Sequence, residues 1–141
     1  MKLDNLILVN AILFIALGIA FALYGPLIID AFGVLGIADA DGAAFWFSAS
    51  FARLAGAILF GYGFLIWSIH SIVSGGFLPA ENIRRITLAL LLGNIVGLFV
   101  ATTQQWQVWV NLAGWISIGI FAILTLGYAY FLVRKKSFPD A

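Results

Sequence analysis

Residues 45–70 read FWFSASFARLAGAILFGYGFLIWSIH. The run is almost wholly apolar, and at ~1.5 Å per residue it can cross a hydrocarbon core of ~30 Å as one helix. Arg53, in its first third, is the one strongly basic side chain set inside an apolar stretch of this chain. Three further runs of the same character, residues 6–24, 86–103 and 106–133, bring the expected spans to four. The expected fold is therefore all-α, a single four-helix transmembrane domain over residues 1–141.

Composition makes the same point. Of 141 residues, 64% are hydrophobic and 9% charged, against roughly 45–50% and about 25% in ordinary soluble domains. A water-soluble fold of this size could not bury so much apolar surface, so the surplus is expected to face lipid. The formal net charge is +1, and no basic patch is interleaved with exposed aromatics, which argues against a nucleic-acid partner. There are no cysteines. That excludes disulfide frameworks, thiolate metal sites, iron–sulfur clusters and membrane oxidoreductases that relay electrons through cysteine pairs.

The first span is preceded by Lys2 and contains Ala20-Phe21-Ala22, features shared with a cleaved signal peptide. Its length and Asp4, which dilutes the positive flank, favour a retained helix. Gly25-Pro26 is expected to end it, because the residue before proline avoids helical geometry. Residues 27–44 then form an outer loop, in which Pro26 could start a short interfacial helix over 27–32 with Leu27, Ile28 and Phe32 turned inward. Asp39-Ala40-Asp41-Gly42 resembles the opening of a calcium loop but lacks the third acidic ligand and the closing glutamate, so an acidic surface turn is expected. Ser74-Gly75-Gly76 and Pro79 mark the next turn, and Gln104-Gln105 a tight polar turn into the last span.

Orientation follows from charge. Lys2, Arg84, Arg85, Arg134, Lys135 and Lys136 all fall on one side, whereas the opposite connections carry only Asp30, Asp39 and Asp41. By the positive-inside rule both termini are expected in the cytoplasm. Tyr24, Trp46, Trp106 and Trp109 fall at the outer boundary and Trp67 and Tyr130 near the inner one, as interfacial aromatics do. So strong a bias argues against antiparallel dual-topology exporters and fluoride channels. The first span also lacks the embedded glutamate of a proton-coupled multidrug exporter.

Two readings are open for Arg53. An arginine at the bilayer centre costs about 2.5–3.5 kcal/mol on insertion scales, yet this one lies only ~5 Å inside the outer boundary, within snorkelling reach. It could form an interfacial ion pair with Asp30, Asp39 or Asp41. Alternatively it could bind an anionic or carbonyl-bearing ligand, a lipid headgroup or a quinone. Ala49, Gly56, Ala57 and Phe60 fall within ~60° of it on the helix, so a packing seam should run beside it. Asn111 is expected in the same leaflet and could share a polar cluster with it.

Gly93, Gly97 and Ala101 form a small-residue ladder beside Asn94. It reads as helix packing within the bundle, with Asn94 bonded across it, or as a face for a second copy. Asn10 invites the same two readings, and Gly61-Tyr62-Gly63 reads as a packing notch holding Gly63. No catalytic residue is assigned. His70, the only histidine, sits at the inner end of its helix, away from every outer aspartate. No metal or other cofactor is expected.

An apolar first helix closing on Gly25-Pro26, an outer loop, Arg53-Leu54-Ala55-Gly56-Ala57 running through Gly61-Tyr62-Gly63 to Trp67, a third helix with Leu92-Gly93-Asn94 and a fourth with a basic end resemble the DoxX-like group of small bacterial membrane proteins. The resemblance implies a four-helix bundle in the bacterial inner membrane. Some members of that group are associated with quinone-linked oxidation of sulfur compounds, which here would need a partner subunit or a redox cofactor, the latter supplied by no residue of this chain. The leading expectation is a non-enzymatic accessory or scaffold subunit, working with a membrane-protein partner or as a homo-oligomer. The alternatives are a small transporter or channel lined by Arg53, Asn94 and Asn111, and a subunit of a quinone-linked oxidoreductase.

Overall fold

The computed structural model describes residues 2–33, 42–76, 78–109 and 111–134. They form four helices: α1 (Leu3–Phe32), α2 (Gly42–Ser74), α3 (Ala80–Gln107) and α4 (Leu112–Val133). Each is long and apolar enough to cross a membrane. The helices alternate in direction. Lys2 and Leu3 share one open cleft with Ser74, Leu78 and Arg134, and Phe32 shares another, at the opposite end, with Phe47 and Trp109. Arg84 and Arg85, in the first turns of α3, join Lys2 and Arg134 at what is thus a basic end.

α1 packs along α2, α3 packs along α4, and contact between α1 and α4 joins the two pairs. The first pairing is unusually close, and small residues spaced by sevens explain it. Gly18 and Gly25 on α1 face Ala49, Gly56 and Gly63 on α2. A Cβ on Gly63 would stand 2.7 Å from the Ile15 backbone nitrogen, and one on Gly25 would stand 3.0 Å from the Ala49 carbonyl oxygen. Added atoms on Gly18 or Gly56 would run into the backbones of Phe60 and Ala22 respectively. Backbones approach this nearly only where side chains are absent. In the other pair Gly97 receives the ring of Phe121.

The core lies where the pairs meet. Leu6, Ile7 and Ala11 from α1, Ile66 from α2, Leu90 from α3 and Leu124 and Tyr128 from α4 are buried together. Outward, all four helices present large apolar side chains, among them Phe64, Phe99, Ile123 and Leu126, each more than half exposed.

Several expected boundaries move. Proline does not end the first helix: the chain kinks at Tyr24 (φ −115°, ψ 31°) and stays helical through Pro26 to Phe32. A proline removes one backbone hydrogen bond and bends a helix, but packing can carry the helix past it. The segment expected as a separate interfacial helix is this continuation, and its buried face is Ile29 and Phe32, with Leu27 64% exposed. Gly33 then closes α1 in the left-handed conformation (φ 58°), its N–H reaching the carbonyls of Ile29 and Asp30. Phe32 is pinned there by the Trp109 ring, 4.4 Å between centroids.

α2 and α3 are longer than expected at both ends. Gln104 and Gln105 lie inside α3, and Trp106 belongs to α3, not to the fourth helix. The chain leaves α3 at Val108 and Trp109, whose N–H groups both donate to the Gln104 carbonyl at 2.8 Å. Apolar runs mark what a helix can bury; polar residues in a last turn are compatible with it and do not mark its end.

Candidate functional site

Arg53 lies one flank away from the α1–α2 seam. Its Cγ would be 3.1 Å from a Cβ on Gly25, so the aliphatic stem rests on that glycine, just past the kink. At 100° per residue Arg53 is turned ~60° from the line through Ala49, Gly56 and Gly63. Its own flank of α2 carries Trp46, Phe60 and Phe64, all exposed. The guanidinium is thus the lone cation on an apolar, aromatic face.

The expected ion pair with Asp30 is not formed. Among the described residues the one ion pair is Arg85–Glu81, at 2.5 Å on the first turns of α3. Asp39 and Asp41, the other proposed partners, lie outside the described residues. Asn111 does not join Arg53 either. It donates from Nδ2 to the backbone carbonyl of Asp30 at 3.2 Å, tying the start of α4 to the end of α1. It thereby joins the Gly33 N–H on a carbonyl of the helix's last turn.

A cavity of about 440 Å³ opens at the same end, lined by Phe21, Ile29, Phe32, Phe47, Phe51 and Trp109 among others. Its α2 residues are turned ~110° from the glycine line on the side away from Arg53. The cavity and the arginine therefore stand on opposite flanks of the seam, and Arg53 does not line it. Its few polar contributors include Ser48 and Gln104.

The buried polar groups lie elsewhere. Asn10 is fully buried and donates from Nδ2 to the hydroxyl of the equally buried Tyr128, at 2.9 Å, across α1 and α4. Asn10 Oδ1 and Thr125 Oγ1, one helical turn before Tyr128, are buried without a protein partner. Asn94, also buried, does not bond across the bundle as expected. Its Nδ2 donates to the Leu90 carbonyl of its own helix at 2.8 Å. Thr87 does likewise to Ile83 at 2.7 Å. Tyr62 crosses toward α3, its hydroxyl 3.2 Å from where a Gly93 Cβ would stand, and its ring meets Phe14 edge-on at 5.2 Å.

The Asn10–Tyr128 pair had a readable sequence signal. Both residues lie within about two turns of the basic ends of their helices, so antiparallel helices would bring them to one level.

Of the remaining candidates, Gly56 and Gly63 are in the α1–α2 seam, Gly97 faces Phe121, and Ala101 is buried. Among the described residues no group of three or more His, Cys, Asp or Glu side chains could hold a metal ion. Comparison with family models, curated proteins and solved structures finds no match.

Proposed function

We propose that the chain is a multi-pass protein of the bacterial inner membrane, of the DoxX-like kind, with both termini in the cytoplasm. It acts there as a non-enzymatic accessory or scaffold subunit, and Arg53 holds a lipid headgroup or a quinone. The observation that carries this reading is the placement of Arg53. Its stem lies on Gly25 and its charge on an outward apolar face, without an ion pair to Asp30.

A guanidinium in that setting favours a phosphate or a carbonyl oxygen, which it can meet with two parallel N–H donors. The flanking aromatics Trp46, Phe60 and Phe64 suit the ring or glycerol region of such a ligand. Membrane placement is supported by four helices of spanning length and by the gathering of Lys2, Arg84, Arg85 and Arg134 at one end.

The transporter reading would need Arg53, Asn94 and Asn111 along one interior line. Arg53 and Asn111 are exposed at the rim, and Asn94 is buried in close packing. The scaffold reading accommodates that arrangement better.

The test is gentle extraction followed by native mass spectrometry on the wild type, Arg53→Ala and Arg53→Lys. The expected result is a copurifying phospholipid or quinone in the wild type and its loss in Arg53→Ala at unchanged expression. Partial retention is expected in Arg53→Lys, which keeps the charge without the fork. Identical lipid and quinone content in all three would overturn the assignment to Arg53.

A further inference from the structure

The basic end of the bundle holds a second, more polar recess. It is an open cleft of about 540 Å³ enclosed by the ends of all four helices. Among the described residues two cations, Lys2 and Arg134, stand on its rim with a single carboxylate, Asp4. Asp4 is already engaged locally, accepting the Asn5 N–H at 2.9 Å. Below the rim the walls turn apolar, with Leu3, Ile83 and Phe131. The N-termini of α1 and α3 both open toward this end, and neither has a side-chain cap. Apart from the N–H groups of Asn5, Asn82 and Ile83, which already have acceptors, their first-turn N–H groups add positive potential where the cations stand.

Arg134 is held ready. Its Nη1 donates to the Tyr130 hydroxyl at 2.6 Å and its guanidinium lies 5.6 Å from that ring. One of its five N–H donors is thus spent on orientation, and among the described residues no side chain takes the others.

We propose that this cleft binds an anionic phospholipid of the inner leaflet. Its phosphate lies between Lys2 and Arg134, and the start of an acyl chain runs over Leu3, Ile83 and Phe131. The complementarity is two-part: cations over the headgroup and hydrocarbon under the glycerol, an arrangement that suits a phospholipid better than a free anion. The inference rests on the membrane placement proposed above, but not on Arg53, which lies toward the other end of the molecule.

Arg84 and Arg85 provide the control, because they belong to the same basic end yet line a different recess. Detergent-purified protein is titrated with phosphatidylglycerol and, separately, with zwitterionic phosphatidylethanolamine, and binding is read by native mass spectrometry. The wild type is expected to prefer phosphatidylglycerol, and Lys2→Ala/Arg134→Ala to lose roughly tenfold or more of that preference. Arg84→Ala/Arg85→Ala, with the same loss of charge, keeps it, as does Lys2→Arg/Arg134→Lys.

Equal loss in the two alanine pairs would mean a diffuse surface attraction and overturn the site, as would a wild type without preference. Inorganic phosphate that competes as well as the lipid binds would overturn the phospholipid assignment. Failure of the membrane placement shows separately, as protein recovered in the soluble fraction before any lipid is added.

Discussion

Two kinds of polar side chain carry the reading of this chain: a pair that joins helices and a cation that faces outward. Asn10 and Tyr128 belong to the first kind. Their hydrogen bond joins α1 to α4 in the middle of the core, and each is fully buried. Interhelical hydrogen bonds in membrane bundles couple by about 0.6 kcal/mol on average, to a maximum near 1.7. A double-mutant cycle on Asn10→Ala and Tyr128→Phe, read by unfolding in detergent, is expected to give a coupling in that range. Zero coupling would show that the two side chains are neighbours without mutual stabilisation. Arg53 belongs to the second kind. Its position in an apolar run was plain from the sequence, and so was the seam beside it. Its relation to Asp30 was not, because an ion pair depends on where the kinked end of α1 carries the carboxylate, and proline alone does not say how far a helix bends.

The α1–α2 pair is set by small residues, and its tolerance to substitution should vary sharply along one helix. Gly56 abuts the backbone of α1, whereas a Cβ on Gly61 would meet nothing within 4 Å. Gly56→Ala is therefore expected to push the helices apart and lower stability by about 1–3 kcal/mol. Gly61→Ala should be neutral or raise stability by up to about 1 kcal/mol, since alanine is the better helix former. Thermal unfolding in the same detergent compares them, and equal effects would contradict the seam. Gly56 and Gly63 could be picked out beforehand because small residues on a spanning helix suggest close approach. Their counterparts Gly18 and Gly25 were harder to see: Gly25 precedes Pro26 and reads as a helix end. The same difficulty explains Gln104 and Gln105, whose polarity suggested a turn while α3 continues past both.

Across the whole molecule, four helices of spanning length and a gathering of basic residues at one end support the proposal that the chain crosses a bilayer four times with its basic end inside the cell. Length and apolar content made the four helices legible, because these quantities act over many residues and survive local errors. Pairing was less legible, since four apolar rods can be arranged in several ways and only their contacts, α1 with α2 and α3 with α4, distinguish them. The native chain has no cysteine, so single cysteines can be placed at the two ends of α3 without background. Asn82 and Gln107 are exposed there. In intact spheroplasts a membrane-impermeant maleimide is expected to label Gln107→Cys at once and Asn82→Cys only after permeabilisation. Labelling of Asn82→Cys from outside, or recovery of the chain in the soluble fraction, would contradict the account.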